Sequence, residues 1–176
     1  GAAKKEDEVK TVDILVFDMS KSPAVFLEWT EGTDVTQDLA DNIATVDFSA
    51  RLSPTTGSVC IVVVANKKLS SIVPGFEKGT TTKAEAMEAM THTLTGEWPA
   101  DGSISGGYMP IPMYGEKEVA KLDPSMNPIT GISMKRMLAR IDIRNSASNF
   151  TVEEVFLANY NTTGYLSLIH ISEPTR

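Results

Sequence analysis

VCIVVVAN at residues 59–66 decides how the rest of the chain is read. Cys60, Val62 and Val64 fall on one set of alternating positions and Val59, Ile61, Val63 and Ala65 on the other, so neither set is polar. The run is short for a helix, and its β-branched residues lose side-chain freedom against a helical turn. It therefore predicts a strand covered on both faces and placed mid-sheet. Such a strand needs a partner on each side.

Upstream, VKTVDILVFD at residues 9–18 sets Val12, Ile14 and Val16 against Leu15 and Phe17, a strand half-covered at its start and fully covered at its end. MSKSP supplies turn residues, and AVFLEW at residues 24–29 resumes alternation at Val25, Leu27 and Trp29, so a hairpin is predicted. Residues 30–41 are polar and carry Gly32, and they read as loop with at most one helical turn. Residues 45–52 place Val46, Phe48, Ala50 and Leu52 at period two between polar residues, a strand with one wet face. PTTG at residues 54–57 then suits a tight connection, and an antiparallel hairpin with residues 59–66 is expected.

Downstream, Thr82 and Glu85 fit a capping box, and Met87, Met90 and Leu94 follow at helical spacing, so a helix is predicted over residues 83–93. Its methionines read as core rather than as an adaptable binding face. YMPIPMYG at residues 108–115 is kept extended by its prolines and is expected to plug one end of a sandwich, with an exposed contact patch as the alternative. Residues 117–122 suggest a brief edge strand. Residues 131–144 suggest a long one whose apolar parity shifts between Ile132, Met134 and Met137, Ala139, Ile141, Ile143, so a bulge near residues 135–137 is expected. A last strand is predicted over residues 150–159, and GAAKKEDE at residues 1–8 reads as a disordered lead.

Sixteen Lys and Arg against 23 Asp and Glu give a formal charge of -7 with no basic run, which argues against nucleic acid and anionic membrane surfaces as partners. No segment approaches the about 18 to 20 apolar residues of a membrane helix, so the mature protein is not expected to span a membrane. Cys60 is the single cysteine, which excludes an intrachain disulfide or a cysteine metal cluster and reads as a small core residue. The chain starts at Gly1 rather than Met, so a removed targeting segment or a missing beginning is expected. LSLIHISEPTR at residues 166–176 resembles the in-frame translation of a transposon-type sequencing adapter, so the natural sequence is expected to end near Tyr165 and His170 leaves the argument. His92, on the predicted helix away from the methionine stripe, reads as solvated. No Ser/His/Asp or Cys/His set, paired acids, calcium loop or phosphate loop can be assembled, so no enzyme activity, catalytic residue, cofactor or metal is expected. Asn161-Thr162-Thr163 fits the glycosylation acceptor pattern.

VDILVFD at residues 12–18, VVVAN at 62–66, YMPIPMYGE at 108–116, ISMKRMLARIDI at 132–143 and FTVEEVFLAN at 150–159, followed by Gly164-Tyr165, resemble in order and spacing the fimbrillin family, the fimbrial subunits of Bacteroidetes type V pili. The resemblance implies a mainly β chain with a transthyretin-like antiparallel β-sandwich and one short helix in a long connection. It implies an N-terminal domain over residues 9–145 and the first strand of a truncated C-terminal domain over residues 150–165. It also implies a cell-surface fimbrium as destination, an outer-membrane lipoprotein precursor, and neighbouring pilin subunits as partners. A trypsin-like protease removes an N-terminal strand in that family, and a neighbour's C-terminal strand fills the groove. This chain lacks the family's lipidation cysteine at its start and any Arg before Val9, where Lys4, Lys5 and Lys10 are the basic residues present. Trp29, Trp98, Tyr108, Met109 and Tyr114 are the candidate contact residues. The competing reading is a surface glycan- or protein-binding lipoprotein module, with Trp29, Trp98, Tyr108 and Tyr114 as stacking residues and a host protein or glycan as ligand.

Overall fold

The computed structural model describes residues 7–38, 45–93, 109–138, 143–156 and 163–166. In chain order the elements are β1 (Val12–Asp18), β2 (Val25–Glu31), β3 (Thr33–Asp38), β4 (Thr45–Ser49), β5 (Val59–Ala65), α1 (Lys83–Ala89), β6 (Thr91–Thr93), β7 (Met113–Val119), β8 (Lys135–Arg136) and β9 (Thr163–Tyr165). Among the described residues the chain is mainly β. A five-stranded antiparallel sheet runs β2-β1-β5-β7-β8, and the pairs β3-β4 and β6-β9 form two-stranded sheets.

β5 lies at the centre of the large sheet, and all seven of its residues are buried. Its alternation divides the core as its sequence predicts. Cys60, Val62 and Val64 join Leu15 and Phe17 of β1 in one cluster, while Val59, Ile61 and Val63 join Val12, Ile14 and Val16 in another. The first cluster is covered by Ala86, Met87 and Met90 from the α1 region and by Leu69, Ile72, Val73 and Phe76 from the connection after β5. The second is covered by Val35 of β3, Phe48 of β4, Leu52, Leu122, Ile129, Ile132 and Met134. Each large apolar side chain so buried stabilises the fold by about 1.5 to 3 kcal/mol. A one-residue slip would exchange the two faces, so cover on both sides fixes the Leu15↔Val62 register.

Several expectations are corrected. Residues 30–41 are not a loop: Thr30 and Glu31 end β2, and Thr33–Asp38 is β3, which pairs with β4. β4 therefore does not form a hairpin with β5, whose two edges are taken by β1 and β7. The physical reason lies in β4 itself, since a strand with one apolar face suits a sheet that lies over the core rather than a place inside it. From Ile111 to Tyr114 the proline-spaced run is neither plug nor exposed patch, whereas Met109 is 47% exposed and Tyr108 lies outside the described residues. Ile111, Pro112, Met113 and Tyr114 are buried, and Met113 opens β7, the second partner of β5. Pro110 and Pro112 stand just ahead of β7, where no ladder N–H is required of them.

The predicted β1-β2 hairpin forms, with a bulge. Register passes from Val16↔Glu28 to Phe17↔Phe26, so Leu27 is the extra residue and turns to the second cluster while Phe26 and Trp29 face the first. Leu27 and Trp29 thus do not share a face. The capping box at Thr82 and Glu85 is present, but α1 ends at Ala89, and His92 lies in β6, opposite Gly164, not on a helix. Leu94 and residues 139–142 are outside the described residues. Of the long strand expected over residues 131–144, the described part contains only the two residues of β8. Ile132 and Met134 pack on the second cluster and Met137 on the first, the outcome of plain alternation, so the parity change needs no bulge. Residues 150–156 form no strand and are exposed, whereas Leu166 is buried in the first cluster and donates its N–H to the Met90 carbonyl at 3.1 Å.

Candidate assembly surface

A sheet joins another chain through an edge whose main-chain groups are unpaired. The outer edge of β2 is closed at its start: Phe26 donates to the Thr81 carbonyl at 2.7 Å, Gly79 donates to the Phe26 carbonyl at 2.7 Å, and Lys83 donates to the Ala24 carbonyl at 2.8 Å. Beyond Phe26, no main-chain hydrogen bond reaches that edge among the described residues. Gly32 donates to the Val12 carbonyl, so strand alternation turns the N–H groups of Trp29 and Glu31 outward. The outer edge of β7 pairs with β8 only at Met113 and Tyr114. Its remainder carries Glu116, Lys117 and Glu118, charges of the kind that discourage strand association, and the Lys117 ammonium bonds the Thr130 carbonyl.

Trp29 is anchored rather than free. Its indole Nε1–H donates to Asp13 Oδ1 at 2.8 Å, and the same oxygen accepts the Leu69 N–H at 3.4 Å. Asp13 is 1% exposed, the one buried charged residue among the described residues, and it ties the β2 edge to the connection after β5. Burial raises the Asp13 pKa above its ordinary 3.8; the bonds from Trp29 and Leu69 oppose this, Glu31 adds to it and Lys68 opposes it. A carboxyl whose pKa is raised on folding binds more protons in the native state, so its contribution favours folding at low pH. That contribution is lost as pH rises from 3.8 through the raised value. Compared with Asp13→Asn by urea unfolding, the native protein should lose stability over that interval and hold a constant deficit above it. A difference that is flat, or that runs the other way, would show the site is not desolvated.

Tyr114 is buried in the first cluster, its hydroxyl bonded to Glu116. Glu116 also pairs with Lys83 at 2.7 Å, which joins the start of α1 to β7. Burial would raise the Glu116 carboxyl, but Lys83 and Tyr114 together hold it below its ordinary range, and burial with the Glu116 bond pushes the Tyr114 phenol up. Burial also raises the Cys60 thiol, as befits a core residue.

Of the five candidate contact residues, Trp29 and Tyr114 thus border one cluster from β2 and β7, and Met109 is 47% exposed. Trp98 and Tyr108 lie outside the described residues. The sequence reading missed Asp13, although a lone acid inside an apolar run that is covered on both faces was itself the signal. Among the described residues, no cluster of three or more His, Cys, Asp or Glu has metal-binding geometry.

Among the described residues the chain is thus a β-rich module whose central sheet has partly open strand edges. Residues 1–105 of the 176 match the model of the major fimbrial subunit protein (FimA) family, and the chain belongs to that family. It is a family of structural subunits, not of enzymes, and membership implies a structural role in a cell-surface fimbria built by polymerisation with other pilin subunits. The match contains the motifs of β1 and β5, while the motifs from residue 108 onward lie beyond it. No curated protein and no solved structure matches the chain.

Proposed function

We propose that the chain enters its fimbria by donor-strand addition, with a strand from a neighbouring subunit laid along the outer edge of β2. The observation that carries this reading is that edge beyond Phe26, with the Trp29 and Glu31 N–H groups directed outward. Main-chain hydrogen bonds would supply the joint, and alternate apolar side chains its specificity. We take residues 9–145 as the N-terminal domain, a transthyretin-like sandwich with the β3-β4 sheet on its second cluster. We take residues 150–165 as the start of a second domain, a view supported by the exposure of Phe150 at 64% and Phe156 at 78% and opposed by the pairing of β9 with β6. The precursor is an outer-membrane lipoprotein. Met109 is a contact residue toward other proteins. The glycan-binding alternative gains nothing from Trp29, whose indole N–H is taken, or from Tyr114, which is buried.

A peptide copying the C-terminal strand of a full-length family member should bind and raise the melting temperature, by an amount that corresponds to about 2.7 kcal/mol at a hundredfold excess over Kd. Glu31→Pro removes an outward N–H and leaves the β1 ladder intact, so it should preserve the fold and weaken that binding. Absence of both binding and thermal shift would remove the basis for strand addition at this domain.

A further inference from the structure

Ahead of β1, the chain is not a disordered lead from Asp7 onward; two carboxamide side chains hold its backbone from opposite sides. Gln37 of β3 accepts the Val9 N–H at 2.9 Å and donates its Nε2–H to the Asp7 carbonyl. Asn66, just past β5, accepts the Lys10 N–H at 2.8 Å and donates its Nδ2–H to the Glu8 carbonyl at 2.8 Å. Each amide therefore takes the C=O of one residue and the N–H of the second residue after it. This is the pair of bonds that a residue of a parallel strand gives its neighbour.

Asn66 is prepared for this role. It sits at φ 60, a left-handed conformation that Asn tolerates better than most residues, and its own N–H bonds the Thr11 carbonyl at 2.9 Å. Its Nδ2 also donates to the Ile111 carbonyl at 2.8 Å, which fixes the plane of the amide. Val9 packs on the second cluster as an apolar anchor, and Asp7 adds an ion pair with Arg136.

We propose that Gln37 and Asn66 form a main-chain clamp, a binding site for an extended peptide with one apolar side chain between residues of any kind. In this structure its own residues 7–10 fill it. The strand-addition reading uses neither side chain, so the two stand or fall separately.

Amide hydrogen exchange on the full chain tests the clamp. The Val9 and Lys10 amides should exchange at least about tenfold more slowly than in a free peptide of residues 6–11. Gln37→Ala should return Val9 to the free rate, and Asn66→Gly, which keeps the left-handed backbone, should do so for Lys10. Replacing Asp7, Glu8 and Lys10 together by alanine should leave the protection within about threefold. Val9→Pro in the full chain then removes one clamped N–H, and a labelled peptide of residues 6–11 should bind in trans. The version with the same three alanines should bind comparably, and one N-methylated at Val9 should not. Loss of protection in the triple-alanine chain, unchanged protection in Gln37→Ala and Asn66→Gly, or equal binding of the N-methylated peptide would each overturn the proposal. If Val9→Pro does not fold, the exchange rates alone decide.

Discussion

Phe17→Ala is expected to destabilise the protein by about 3 to 5 kcal/mol, the largest effect of any single apolar truncation considered. Phe17 is fully buried on β1, which lies between β2 and β5 and so has strands on both sides to hold it in place. Its ring meets Phe26 edge-on at 6.0 Å and 65°, and Phe26 meets Phe76 at 5.5 Å and 69°. Truncation removes the first ring of this chain of contacts and leaves a cavity that fixed strands cannot collapse around. In a chain of this size the melting temperature should fall by roughly 6 to 20 °C. Phe156→Ala removes the same side chain from a site that is 78% exposed and should stay within about 0.5 kcal/mol. Urea unfolding followed by circular dichroism checks both, and a Phe17→Ala loss under about 1 kcal/mol would place this ring outside the packed core.

How much of this could be read in advance depends on whether a residue's environment is written in its neighbours. β5 was legible because both its alternating sets are apolar, and β1 because Asp13 is the one polar residue between Val12 and Phe17, a pattern that suits a doubly covered strand. The capping box was legible because it is local, a Thr hydroxyl and a Glu carboxylate three residues apart. Pairing beyond the β1-β2 hairpin was not legible. The alternation of β4 describes its faces but says nothing of which main chain lies beside it, and β5, the strand that follows it, was the wrong partner. β3 was hidden because TDVTQD has a single apolar residue, Val35, and its strand is set by β4 and by the second cluster. The contact residues fared unevenly for a related reason: an aromatic side chain reads alike whether it meets a ligand or a core, and Trp29 and Tyr114 meet the core. Gln37 and Asn66 carry no local signal at all, since their partners are backbone atoms 28 to 58 residues away.

Gly115→Ala should be the second large effect, at about 1 to 3 kcal/mol, and it arises from crowding instead of a cavity. Gly115 stands on β7 opposite Val63 of the central strand. A Cβ there would come within 2.6 Å of Met134 Sδ, 2.7 Å of the Ser133 carbonyl oxygen and 3.0 Å of Ile132 Cγ2. The methionine can swing away, but the carbonyl is backbone and moves only with its segment. Residues 132–134 must then lift from β7, taking Ile132 and Met134 off the second cluster. Met134→Ala in the Gly115→Ala background should therefore recover less than half of the loss; full recovery would mean that the sulfur was the whole obstacle. The displacement also bears on assembly, because this segment borders the β7 edge where pairing with β8 stops at Tyr114. With the segment lifted, more of that edge meets solvent, and only Glu116, Lys117 and Glu118 remain to discourage a second chain. Gly115→Ala should accordingly self-associate more than the native protein at equal concentration, measured by size-exclusion chromatography. A destabilised but strictly unassociated variant would show that the charges alone are sufficient to guard the edge.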